Sequence, residues 1–216
     1  MIIRATVIPI DEINEELLLE VNGENKLHKK SIYLDLEHYV YKVPICVGVF
    51  GIGYLDEENN EFRVVQYMLE KRQDVRSVLH KGKELLEKLK EELGKTYITT
   101  FSGNNDFTVI RYLFKKYKID MDINKEFVSI DIQEEYKKSK NEIIGLKNLE
   151  KVFNIDRDSE VISGNTLAKT IGKMFHDEEY CYRIPKEKID KILIYNEKDV
   201  YNLFLINILW NKFIDK

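Results

Sequence analysis

Four acidic residues and one tyrosine are spaced so that they could share a divalent cation. Asp35 and Glu37 stand two apart in the apolar run SIYLDLE (31–37), and a strand's period of two puts both side chains on one face. Adjacent acids in an apolar strand are costly without a counter-charge, so the pair asks for a cation nearby. Asp106 follows TTFSGNN (99–105), a segment that leaves a strand, turns through Gly103 and opens a helix. Strand ends above a sheet are where open α/β folds place ligands. Tyr195 and Asp199 are four apart on a helical segment and share a face, which Ile192 and Leu203 continue as an apolar stripe. Asp199 therefore points inward and needs a partner, and a metal held by the strand acids would serve. Each segment alone has a plainer reading: a sheet edge with both acids in water, an aspartate that caps a helix, a boundary aspartate beside a core tyrosine. Together they come in the order strand, strand-to-helix turn, late helix, the layout that brings four carboxylates to one end of a sheet.

The elements that must position these residues follow from apolar periodicity. The first thirty residues read as a strand over Ile2–Ile8, a short acidic helix and a polar turn at Asn22-Gly23-Glu24-Asn25. We expect residues 1–30 to be an N-terminal extension packed on a core domain of residues 31–216. Strands are predicted at Ser31–Glu37, Ile45–Tyr54 and Glu61–Gln66, joined by short turns as an antiparallel meander. The segment Asp74–Leu93 carries Val75, Val78, Leu79, Leu86, Leu89 and Leu93 at helical spacing, with Gly94 as the stop. A strand at Thr96–Phe101, an amphipathic helix from Phe107 and a strand at Phe127–Ile132 follow. Helices at Leu146–Phe153, Thr166–Phe175 and Lys186 to about Phe213 complete the chain, and Pro185 suits the start of the last. Asp131, Glu134 and Glu135 read as a strand end and helix cap. Strands followed by alternating helices and strands make a mixed α/β layout, which by itself does not single out one fold.

Composition sets outer bounds. The chain has 216 residues, 44% hydrophobic and 33% charged, the balance of a globular domain with one sizeable core. No apolar run approaches the roughly 20 residues that span a bilayer. The acidic start lacks the layout of a secretory signal. Cys46 and Cys181 are far apart and form no CxxC pair, which fits a reducing cytosol and predicts a cytoplasmic location. Gly48–Gly53 lacks a GxGxxG or P-loop pattern, and His80 and His176 have no ligand spacing around them.

With this order of elements, the acidic segments resemble the DEDD exonucleases of the ribonuclease H-like superfamily, most closely the tyrosine subclass and the YprB-like domain. Asp35-Leu36-Glu37 matches the first motif, Thr100–Asp106 (TFSGNND) is similar to the second, and Tyr195 to Asp199 matches the third. Ile194 stands where the histidine subclass would carry its histidine. Gly145–Glu150 (GLKNLE), followed by Asn154–Arg157 and Ser163-Gly164, is also similar to the YprB-type stretch. The resemblance covers about residues 31 to 210, and only the three acidic motifs are diagnostic.

The resemblance implies an α/β fold with a ribonuclease H-like mixed sheet, antiparallel in its first three strands and then parallel, flanked by helices. It implies a metal-dependent 3′–5′ exonuclease that hydrolyses phosphodiester bonds of DNA or RNA with two Mg²⁺ or Mn²⁺ ions. In that reading Asp35 bridges the ions, Glu37 and Asp199 share one, Asp106 acts mainly on the other, and Tyr195 orients the attacking water. The partner is nucleic acid with a single-stranded 3′ end, and the reading leaves room for a helicase or second nuclease subunit; it points to no membrane and fixes no oligomeric state. His38, Ser102 and Asn105 occupy positions that shape the pocket for the terminal nucleotide, where the family usually carries Thr, Asn and Phe. The net charge of −4, with 34 basic against 38 acidic residues, requires any basic footprint for phosphates to be local. Candidates are Lys26/His28/Lys29/Lys30, Lys115/Lys116/Lys118 and Lys137/Lys138/Lys140. The alternative is a catalytically weak or inactive module of the same fold that binds nucleic acid or protein.

Overall fold

Half-buried and exposed side chains alternate along Ile2–Pro9 (β1), the pattern of a strand with one face on a core. Ser31–Tyr41 (β2) and Val43–Asp56 (β3) are instead shielded over most of their length and form a long hairpin turning at Lys42, whose φ is 59°. Glu61–Met68 (β4), Tyr97–Thr100 (β5) and Val128–Asp131 (β6) complete the sheet. The computed structural model describes residues 1–156 and 164–214; Arg157 and Ser163 of the YprB-like stretch lie outside the described residues.

The six-stranded sheet runs β1-β4-β3-β2-β5-β6. β1, β4, β3 and β2 pair antiparallel, whereas β5 is parallel to β2 and β6 to β5. The sheet is thus mixed, as the resemblance implies. The predicted meander gains a fourth strand, because β1 of the N-terminal segment pairs with β4 along its whole length. The β2–β5 register covers Ser31–Tyr33 only. Asp35 and Glu37 lie just beyond it, on β2 between its antiparallel partner β3 and its parallel partner β5.

Helices cover both faces. Val75–Leu93 (α1) and Asn104–Tyr117 (α2) bury Val78, Leu79, Leu86, Ile110 and Leu113 against Leu34, Leu36, Phe50 and Ile52. Gly94 takes φ 62° and ends α1, as expected of a glycine after the last apolar position. Gly82 lets α1 approach closely, since a Cβ there would sit 2.6 Å from the Phe50 ring. The opposite face takes the long helix Lys186–Ile208, whose Val200, Leu203 and Phe204 pack on Tyr33, Phe62 and Val64. Phe62 and Phe204 stack with centroids 4.5 Å apart.

Between α2 and this last helix come Ile132–Lys140 (α3), Leu146–Val152 (α4) and Gly164–His176 (α5), so Lys186–Ile208 is α6. β2 runs on to Tyr41, four residues past the predicted end, and two helix boundaries also differ from the sequence expectation. α2 starts at Asn104 rather than Phe107, placing Asp106 inside its first turn. α6 stops at Ile208, and a turn at Leu209 separates it from the single helical turn Trp210–Phe213. Among the described residues no helix is long and apolar enough to cross a membrane.

Candidate metal centre

β2 and α6 bring three of the predicted acids together. Asp35, Glu37 and Asp199 each offer a carboxylate oxygen such that these atoms all lie within 4.8 Å of one another. The strand supplies two because residues of like parity face α6; the helix supplies the third because its inward stripe crosses β2 there. Asp199 is 5% exposed. Asp106 adjoins this trio from α2, its Oδ1 3.6 Å from His38 Nε2.

Burial and mutual repulsion set the electrostatics. Burial first, then Asp199, Glu37 and Asp106, pushes the Asp35 carboxyl well above its ordinary range. Glu37 is pushed up to about 8 by burial and by Asp199 and Asp106, with Lys147 opposing the rise. Asp106 rises to about 7 through burial and the charge of Asp131. Burial also lowers the pKa of His38. A set of hard oxygen donors that repel one another when ionised fits a divalent ion such as Mg²⁺ or Mn²⁺.

The turn after β5 is held by an interaction that the sequence reading did not assign. Asp131 Oδ1 accepts from Ser102 N at 2.9 Å and Oδ2 from Gly103 N at 3.0 Å, while Oδ1 also caps α3 through Gln133 N at 3.0 Å. Ser102 takes the left-handed φ of 53°, and a Cβ on Gly103 would lie 2.1 Å from Thr100 Oγ1. Asp131 is thus the cap that was expected and also a tie to the turn that launches Asp106. Asp106 itself is no cap: the N-cap position is Gly103, without a side-chain bond.

Tyr195 lines a cleft of about 320 Å³ with Asp35, Phe101, Gly145, Leu146, Lys147, Asn148 and Asp199. The Lys147 ammonium lies 5.3 Å from the centroid of the Tyr195 ring. Behind it, Asn202 Nδ2 donates to Glu150 Oε1 at 2.7 Å, a buried tie between α6 and α4. A larger cavity of about 480 Å³, beside Asp11, Glu12 and His28, touches none of these acids. Ser102 and Asn105 stay exposed around the first turn of α2, and neither joins the acid cluster.

Two side chains at the site went unassigned in the sequence. Lys147 sits in the GLKNLE stretch, so its signal was present there. Asn196 is fully buried, and its Nδ2 donates to Asp35 Oδ2 at 2.8 Å and to the Asp35 carbonyl at 3.1 Å. Its signal is its place one turn before Asp199, with Asn202 one turn after: a polar stripe at three-residue spacing inside an apolar helix.

A six-stranded mixed sheet clad by helices, with acids gathered where strand direction changes, is the architecture of a ribonuclease H-like domain. The chain matches the RNase_H superfamily over residues 32–211 and belongs to that superfamily. Comparison with curated proteins returns no match.

Proposed function

We propose that the protein is a metal-dependent 3′–5′ exonuclease acting on DNA or RNA, with Asp35, Glu37, Asp106 and Asp199 as the residues that hold two Mg²⁺ or Mn²⁺ ions. The observation that carries this reading is the convergence of three carboxylates from β2 and α6 within 4.8 Å in a member of the RNase_H superfamily. When bound, the ions supply charge stabilisation at the scissile phosphate and lower the pKa of water. The protein's own groups do the positioning. Asp35, Glu37 and Asp199 would present oxygens from β2 and α6, and Asp106 would add its carboxylate from the first turn of α2. Tyr195 holds the attacking water by hydrogen bond. Lys147 offers a cation to the phosphate at the cleft mouth. His38, Ser102 and Asn105 border the place for the terminal nucleotide.

Two of the three candidate basic clusters engage part of their charge in local ion pairs. Lys29 pairs with Glu57 at 3.5 Å, Lys30 with Glu24, Lys137 with Glu134 at 3.5 Å and Lys138 with Glu135 at 2.6 Å. That favours contact with a short single-stranded end over a long duplex. It also favours the second reading, a binding module that keeps the fold without cleavage. The test uses linear, circular and 3′-blocked single strands with Mg²⁺ or Mn²⁺. The proposal expects loss of the linear strand alone. Cutting of the circle would make the protein an endonuclease, and three intact substrates with folded protein would favour the binding module.

A further inference from the structure

We propose that Gln66 is a positioning residue: from β4, two strands away, it fixes which end of the Asn196 amide faces Asp35. Asp35, Gly51 and Gln66 form one row across the sheet, Asp35 opposite Gly51 and Gly51 opposite Gln66. All three face α6. The middle member must be glycine, since a Cβ there would lie 2.2 Å from Asn196 Oδ1. Asn196 therefore fills the gap between Asp35 and Gln66, and both Asn196 and Gln66 are fully buried.

An asparagine amide has a donor end and an acceptor end of nearly equal size, so packing alone does not choose its orientation. Hydrogen bonding chooses it here. Gln66 Nε2 donates to the Leu193 carbonyl at 2.8 Å, and a main-chain carbonyl can only accept. The same Nε2 donates to Asn196 Oδ1 at 2.7 Å. With its oxygen so engaged, Asn196 turns its Nδ2 toward Asp35 and donates to Oδ2 and to the main-chain oxygen. The polarity runs one way, from a main-chain carbonyl of α6 through two amides to the central carboxylate. Asp35 Oδ2 is thereby held by a donor, which fixes the plane of the carboxylate and leaves Oδ1 for the cleft. Reversing the Asn196 amide would set its oxygen against a carboxylate and release Asp35 from that plane.

The inference rests on the reading of Asp35 as a metal ligand, so its test measures metal binding directly, by the electron paramagnetic resonance signal of free Mn²⁺. Gln66→Met keeps the side-chain length and removes the donor. It should stay folded and bind Mn²⁺ about 10–100-fold more weakly, the usual cost of losing a group that orients a ligand. Asn196→Ala should weaken binding at least as much. The double variant should be no weaker than Asn196→Ala alone, because Gln66 acts through Asn196. A merely structural Gln66 would lower thermal stability and leave the Mn²⁺ affinity of the folded protein unchanged. Wild-type affinity in Gln66→Met, or losses that multiply in the double variant, would overturn the inference. Should Gln66→Met not fold, nuclear Overhauser contacts of the Asn196 amide protons in the unmodified protein decide the matter. Contacts to Asp35 support the proposed polarity, and contacts to Gln66 instead refute it. Failure of the unmodified protein to bind Mn²⁺ would sink the metal-site reading itself, and this inference with it.

Discussion

A carboxylate set beside three others must find either protons or cations, and this competition governs the chemistry of Asp35, Glu37, Asp106 and Asp199. In the metal-free protein Glu37 is raised from 4.5 to about 8 and Asp106 from 3.8 to about 7. The folded chain then keeps protons that the unfolded chain has already lost. Stability from these groups is present below their unfolded pKa values, falls as pH rises from about 4 to about 8, and levels off above. A divalent ion takes the place of the protons, so its stabilising effect grows across the same window. Melting in EDTA and in Mn²⁺ between pH 5 and pH 9 should therefore show two curves that diverge with rising pH; parallel curves would contradict this. Glu37→Gln removes one of the repelling charges and should stabilise the metal-free protein at pH 8 by about 1–3 kcal/mol in urea denaturation, and it should weaken Mn²⁺ binding. A destabilised Glu37→Gln protein would mean that Glu37 is a structural acid with a partner of its own. At this scale the sequence was informative about the acids, because period two in β2 and the four-residue step in α6 are local rules. It said little of Asn196 and Gln66. A buried amide in a helix or strand is written like an exposed one, and its meaning depends on a neighbour 130 residues away.

Each element that carries an acid is anchored by a polar tie to another element. α6 is tied to β2 through Asn196, to α4 through Asn202 and Glu150, and to β1 through Glu197, which accepts from Thr6 Oγ1 at 2.7 Å and pairs with Arg4 at 3.4 Å. The β5–α2 turn is tied to β6 and α3 by Asp131. Asp131→Ala removes a helix cap and two bonds to the turn, and should cost about 1–2 kcal/mol. It should also raise the metal concentration needed for cleavage, because Asp106 is launched from that turn. Unchanged metal dependence would confine Asp131 to capping. Close approach matters as much as polarity. A Cβ at Gly53 would lie 2.5 Å from Val200 and 2.6 Å from Phe62, so Gly53→Ala should lift α6 from the sheet and lower stability by about 1–3 kcal/mol. Most of these elements were legible from apolar periodicity and from Gly94 and Pro185 at helix ends. The early start of α2 was not: NNDF has little apolar signal, and its helical turn is set by the Asp131 tie from 28 residues further on.

For the whole molecule, the mixed sheet places the acids where the antiparallel half meets the parallel half, and α6 lies across it to close the site. The alternation of strands and helices made the α/β class readable, yet the place of β1 was not, since local sequence does not say which strand an edge will join. β1 covers the edge of β4 along its whole length and holds α6 through Arg4 and Thr6. We therefore predict that a chain beginning at residue 31 exposes a long strand edge, self-associates and melts at lower temperature; a stable monomer of full activity would contradict that. Exonuclease action is tested by cleavage of 5′-labelled single-stranded DNA and matched RNA in Mg²⁺ or Mn²⁺, in EDTA, and with Asp199→Ala. The expected result is a ladder that shortens from the 3′ end only with metal and vanishes in folded Asp199→Ala protein. A ladder that persists in EDTA, or in Asp199→Ala, would contradict metal-dependent exonuclease action.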